Sequence, residues 1–270
     1  MPGEIVSGVT PALAIADVSK IFHPGTPTER RALNGVTLAL GEGDFAVIIG
    51  SNGAGKSTLL GAVAGDVPVD SGSISIAGQA VTDVPVHQRA ALVARVFQDP
   101  SRGTAPGLTV EENLAIAYKR GQSRYLGKAV TSDRRKLFRD ALAPLGLGLE
   151  NRLETRVDLL SGGQRQALSL TMACLLKPRI LILDEHCAAL DPRTAEAVMT
   201  ATFNAVQKRG ITTLMVTHNM QHAIDHGNRL VMMHDGTVAF EASGLEKEGL
   251  TVSALVQRFQ TADDKVLLVR

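Results

Sequence analysis

The sequence predicts an α/β fold with a mostly parallel, doubly wound core sheet. Two observations carry that prediction. A glycine-rich loop at residues 50–58 stands between an apolar run and a helix-forming run. Two further near-continuous apolar runs, residues 179–184 and 212–218, flank a helical stretch from about Thr194 to Lys208. That strand–helix–strand rhythm builds parallel sheets, and runs apolar at nearly every position suit strands covered on both faces.

In chain order, Leu13-Ala14-Ile15-Ala16 and Val36-Thr37-Leu38-Ala39-Leu40 alternate, with a Gly/Pro/Thr-rich loop at residues 23–28 between them. Ser73-Ile74-Ser75-Ile76-Ala77-Gly78 alternates too, so the three stretches predict an antiparallel β portion. Phe45-Ala46-Val47-Ile48-Ile49 reads as a buried strand, and the stretch from Leu59 to Ala64 continues as a helix. Residues 101–176 contain no strand pattern. Helices are expected there at 111–120 and 132–145, the second capped by Ser132-Asp133 and stopped by Gly146. This predicts an inserted helical subdomain. Its basic residues Lys119, Arg120, Arg124, Lys128, Arg134, Arg135, Lys136 and Arg139 read as a solvated face, or as a face near anionic lipid headgroups or a membrane partner. A short helix at 252–259 and a tail close the chain. The expected organisation is therefore 1–100 (antiparallel portion and first part of the parallel core), 101–176 (helical insertion), 177–245 (second part of the core) and 246–270 (C-terminal helix and tail).

Of the 270 residues, 44% are hydrophobic and only 3% aromatic, with no Trp, so the core must be aliphatic. The net charge of +1 creates no global field favouring nucleic acid. No stretch approaches ~18 uninterrupted apolar residues, the length that spans a bilayer. The start, Met1-Pro2-Gly3-Glu4-Ile5, lacks the basic and apolar regions of a secretory leader. Cys174 and Cys187 offer neither a disulfide framework nor metal spacing and read as small buried hydrophobes in a reducing compartment.

Three motifs carry chemistry. Gly50-Ser51-Asn52-Gly53-Ala54-Gly55-Lys56-Ser57-Thr58 fits Gly, four residues, Gly-Lys-Ser. Between a strand and a helix, such a loop turns its backbone N–H groups onto phosphate oxygens; Lys56 reaches the terminal phosphates and Ser57 holds Mg²⁺. Ile180-Leu181-Ile182-Leu183-Asp184-Glu185 places two acids at the end of a buried strand, where open α/β sheets bind ligands. Asp184 is expected at Mg²⁺ and Glu185 on the attacking water, since neighbours on a strand point to opposite sides. In Leu160-Ser161-Gly162-Gly163-Gln164, Ser161 and Gln164 form a capping box, and the helix start makes a second anion site whose anion local physics does not name.

The order of these motifs, with Gln98, Asp191 and His218, resembles the ATPase subunits of ABC transporters over roughly residues 14–236. The resemblance implies a P-loop NTPase fold of the ABC type, with ATP and Mg²⁺ as ligands. Phe22 would stack on adenine and Gln98 would touch Mg²⁺ and the attacking water. Asp191 would link two sites across a dimer, and His218 would contact the γ-phosphate. Two copies would dimerise head to tail, so that residues 160–164 close on the γ-phosphate of the opposite subunit's ATP. It further implies separate integral-membrane permease subunits, a separate solute-binding protein, a place on the cytoplasmic face of the membrane, and import of an amino acid or related small solute. A non-transport ATPase acting on nucleic acid or ribosomes would call for a coiled-coil insertion or tandem domains, and neither is present. His186 stands where the family often has a small residue or proline. His218, His222 and His226 recur every four residues and would share one helix face if the helix begins that early; a metal is not expected there, because no carboxylate or Cys completes the set and His218 has a phosphate-sensing role in the resemblance.

Overall fold

Phe45, Ala46, Val47, Ile48 and Ile49 are all buried, as are the residues from Ile180 to Leu183 and from Thr212 to Val216. These runs form the middle of one sheet. The protein is described by a computed structural model covering residues 10–122 and 127–267, with side chains to residue 261. The chain runs β1 (Leu13–Phe22), β2 (Arg30–Leu40), β3 (Phe45–Gly50), α1 (Lys56–Ala64), β4 (Ser71–Ile76), β5 (Gln79–Ala80), α2 (Val86–Arg89), β6 (Val93–Val96), α3 (Val110–Tyr118), α4 (Ser132–Leu142), α5 (Gly162–Cys174), β7 (Ile180–Asp184), α6 (Pro192–Arg209), β8 (Thr212–Val216), α7 (Met220–Asp225), β9 (Arg229–His234), β10 (Thr237–Ser243), α8 (Gly244–Glu248) and α9 (Val252–Leu267).

The six-stranded sheet has the order β10-β9-β3-β8-β7-β6, parallel throughout except for the β9–β10 edge. Its period of two divides its side chains between two cores. Ala46, Ile48, Ile182, Leu214 and Val231 face α1 and the antiparallel sheet β2-β1-β4-β5. Val47, Ile49, Leu181, Leu183 and Met215 face α5, α6 and α9. A third core, built on Val110, Leu114, Phe138 and Leu142, belongs to α3 and α4, and α5 contributes Ala167 and Leu168 to it. Helix α5 therefore fastens the helical insertion to the sheet. The α1 carbonyl end is capped from a distance: Arg89, 3% exposed, donates to Ala62 O (2.7 Å) and Val63 O (3.1 Å), and to Thr82 O and Val84 O. A buried guanidinium is tolerated there because carbonyl dipoles surround it.

Several expectations change. The α4 cap is Thr131, not Ser132, since the Thr131 hydroxyl accepts from Arg134 N. The helix at the C-terminus extends to Leu267. His218 precedes α7, which starts only after the Asn219 cap, so the three histidines share no helix face, and the described residues hold no metal-binding cluster. Three basic residues of the insertion turn to partners within the fold. Arg120 donates to Ala173 O and Leu176 O, Arg135 grips Glu111 through two nitrogens, and Arg134 donates to Lys128 O and Ala129 O. Arg124 and the reading of residues 1–5 lie outside the described residues. Both cysteines are buried and free, and burial raises their thiols to about 11 (Cys174) and about 12 (Cys187), as small inert hydrophobes require.

Candidate active site

Parallel pairing brings the ends of four strands to one edge. Ile48 pairs with Val216, Asp184 with Val216, and Leu183 with Val96. The glycine loop, Asp184-Glu185, Thr217-His218 and Phe97-Gln98 therefore all leave the sheet at its carboxyl edge, the place where such sheets take ligands.

The loop is held tightly. At Gly50 an added Cβ would lie 2.5 Å from Met233 O, and at Gly55, with φ 99°, 2.4 Å from Ala32 O. Backbone bonds Gly236 N→Ala54 O and Asn34 N→Gly236 O, with Arg30 Nη2→Gly53 O (2.8 Å), tie it to β2 and the β9–β10 turn. Ser57 and Thr58 open α1; Ser51, Asn52, Gly53 and Ser57 are exposed. Lys56, 6% exposed, donates to Gly50 O (2.7 Å) and Ser51 O (2.9 Å), so its ammonium lies inside the cradle. Burial lowers its pKa, while the charges of Glu185 and Asp184 oppose that shift. Phe22 ends β1 opposite Arg30, whose side chain reaches Gly53, and Lys20 Nζ lies over its ring at 5.7 Å.

At the acidic pair, Glu185 adopts φ 47°, an uncommon left-handed conformation for a non-glycine residue. Its Oε1 lies 2.6 Å from His218 Nε2. Asp184 turns the other way, with Oδ2 2.6 Å from Arg95 Nη2. His186 is 2% exposed, with Nε2 3.2 Å from Thr202 Oγ1, whose proton goes to Val198 O. The imidazole must therefore donate through Nε2, as a neutral ring. Burial, with His222 nearby, holds its pKa at about 4. Between the ordinary histidine pKa near 6.5 and about 4, the unfolded chain takes up a proton that the fold refuses. Stability is thus full above pH 6.5 and falls as pH drops toward 4, by on the order of 3 kcal/mol from this residue. Urea unfolding of the nucleotide-free protein at pH 7.5 and 5 measures this, and His186→Asn should flatten the difference.

The signature stretch is placed elsewhere. Ser161 caps α5, and its capping box with Gln164 closes in both directions, with Arg152 and Leu147 O also binding the Gln164 amide. Leu160 is buried beneath it. Gly163 is a packing requirement as well: an added Cβ would lie 2.3 Å from Thr194 Cγ2. Asp191 caps α6, accepting from Thr194 N (3.1 Å), and the Thr194 hydroxyl, with that backbone bond, holds its carboxyl below the usual range. Gln98 is exposed beyond β6 and lines a cleft of about 200 Å³ with Gly162, Gln166 and His186, while Gln166 donates to Phe97 O. The glycine loop packs against Ala32, Leu33 and Gly236, whereas Gly162 and Gly163 meet Leu190 and Thr194. The two glycine-containing stretches thus have separate neighbours within one chain. Arg95, Arg89 and Arg30 were not singled out by the sequence; the available signal for Arg95 was a lone charge within the apolar stretch Val93-Ala94-Arg95-Val96.

Comparison with known proteins gives a consistent answer. The profile of the ABC transporter family matches residues 33–188. The tyrosine transport ATP-binding protein of Clostridioides difficile is 42% identical over 250 residues, covering 93% of this chain and 99% of that protein. The spermidine/putrescine import ATP-binding protein of Acidothermus cellulolyticus is 36% identical over 230 residues, covering 85% of this chain but 56% of that longer protein. A dimeric, post-hydrolysis ATP-binding cassette bound to ADP and Pi superposes with a TM-score of 0.73 at 28% identity, covering 86% of this chain and 98% of that one.

Proposed function

Because the chain belongs to the ABC transporter ATP-binding family, we propose that it is the ATPase subunit of an importer for an aromatic amino acid or a close relative. The observation that carries the chemistry is the 2.6 Å Glu185–His218 pair at the sheet edge that also holds the phosphate loop. The substrate class is supported by the full-length relative that serves tyrosine transport.

In this reading residues 50–58 cradle the phosphates of ATP, and Phe22 packs on the adenine. Lys56 exchanges its two loop carbonyls for phosphate oxygens. Ser57, Asp184 and Gln98 would hold Mg²⁺; hydroxyl, carboxylate and amide oxygens are the hard donors that ion prefers. Mg²⁺ would neutralise charge on the β- and γ-phosphates. Glu185 accepts the proton of the attacking water, and His218 orients Glu185 and the γ-phosphate. Phosphoryl transfer asks mainly for positioning and charge neutralisation, which these groups supply. Residues 160–164 of a second copy complete the site, with Asp191 at the junction; the separate placement of the two stretches supports a head-to-tail dimer. No helix among the described residues is long and apolar enough to cross a membrane. The reading therefore includes separate permease subunits docked on the helical insertion, a cytoplasmic face, and a separate solute-binding protein. The division into residues 1–100, 101–176, 177–245 and 246–270 belongs to the same proposal.

Co-reconstitution with the permease and receptor encoded beside this gene tests it. ATP-dependent tyrosine uptake and ATP turnover that rises with the loaded receptor are expected. Uptake of a polyamine instead overturns the substrate class, and turnover indifferent to the permease overturns the coupling.

A further inference from the structure

Arg95 is the one strongly placed charge at this edge that the reading above leaves without a role. It stands on β6, with its side chain 14% exposed, between two carboxylates: Nη2 lies 2.6 Å from Asp184 Oδ2 and Nη1 2.8 Å from Asp66 Oδ2. Its guanidinium lies over the Phe97 ring at 4.7 Å, and Arg102 lies over the same ring at 4.7 Å. The placement follows from register, because Arg95 pairs with Ile182, two residues before Asp184 on the same face of β7. Asp66 follows Gly65, the cap of the phosphate-loop helix. One arginine thus joins the end of α1, the end of β7 and the approach to Gln98.

Two features fit an arginine that changes partners. Its Nε is buried without a hydrogen-bond partner, so the guanidinium is incompletely satisfied where it stands. Asp66, at 45% side-chain exposure, offers a second carboxylate that remains available when Asp184 is taken. Lys56, on the loop carbonyls, feels the charges of Glu185 and Asp184, and Arg95 pairs with Asp184, so two cations stand beside the two acids.

We propose that Arg95 is a positioning residue that occupies Asp184 in place of the metal ion and retreats to Asp66 when Mg²⁺ arrives with ATP. The ion pair fixes the Asp184 carboxylate before binding, and it makes metal capture a competition. Divalent cation affinity is lowered by the fraction of time Arg95 covers Oδ2. The inference rests on the assignment of Asp184 to Mg²⁺.

The test is Mn²⁺ binding, followed by electron paramagnetic resonance, to full-length protein saturated with a non-hydrolysable ATP analogue. Arg95→Gln should bind Mn²⁺ about fivefold tighter or more, a coupling of ordinary size. Arg95→Lys, which reaches only one carboxylate at a time, should tighten it by a smaller factor and decides the question if the Gln variant folds poorly. In an Asp184→Asn background, Arg95→Gln should change nothing. If Asp184→Asn weakens Mn²⁺ binding and both Arg95 variants match or fall below the parent, the inference fails alone. If Asp184→Asn leaves Mn²⁺ affinity at the parental value, the Asp184 assignment fails and the inference with it.

Discussion

Glu185→Gln should lower ATP turnover by about 10²–10⁴-fold, the usual worth of a positioned general base, while ATP still binds. The substitution is close to isosteric, so the left-handed turn at φ 47° and the backbone bond Glu185 N→Val216 O are kept. His218 Nε2 retains an acceptor, because the amide oxygen can replace Oε1, now 2.6 Å away. What is lost is basicity alone: an amide cannot take a proton from water. If, as proposed, two copies close on ATP and hydrolysis releases them, the variant should accumulate as an ATP-bound dimer. Single-turnover hydrolysis and size-exclusion chromatography with ATP measure the two effects. A Gln variant that turns over at the parental rate removes Glu185 from the mechanism and passes the role of base to another group at this edge.

The sequence disclosed the site's components better than their arrangement. Residues 45–49, 179–184 and 212–218 were legible as strands because burial on both faces leaves little room for polar residues. β6 was not, since it has four residues and one is charged, nor was β9, because its four-residue apolar run, Leu230 to Met233, does not distinguish strand from helix. Caps were legible to within one residue where hydroxyls are adjacent, so that Thr131 rather than Ser132 opens α4. Local spacing failed for His218, because Asn219 supplies the cap and leaves the histidine outside α7. It also could not supply the Arg95–Asp184 pair, whose partners are 89 residues apart and meet only through the β6–β7 register. Gly163 was read as part of an anion site, yet its immediate physical requirement is the Thr194 methyl against which α5 packs. In the proposed site the same glycine would meet both demands, because close helix packing and an open backbone N–H each exclude a side chain.

Ser161→Arg should abolish ATP-induced dimerisation while leaving ATP affinity of the monomer within about twofold, because Ser161 is exposed and the phosphate loop packs against other elements. The arginine removes the acceptor of Gln164 N, which costs α5 about 1 kcal/mol, and adds bulk and positive charge at a helix N-terminus. Loss of the cap could by itself loosen the stretch, so Ser161→Asp separates the two causes. Aspartate caps as well as serine and suits the helix dipole, so the monomer should unfold at or above the parental temperature. Its carboxylate would nonetheless face the γ-phosphate of the opposite subunit, where like charge opposes closure. In a Glu185→Gln background, both variants should therefore remain monomeric with ATP by analytical ultracentrifugation. If Ser161→Asp dimerises like the parent, the stretch matters only as a cap. If Ser161→Arg dimerises as well, no phosphate from a second copy meets the start of α5, and the composite site is overturned.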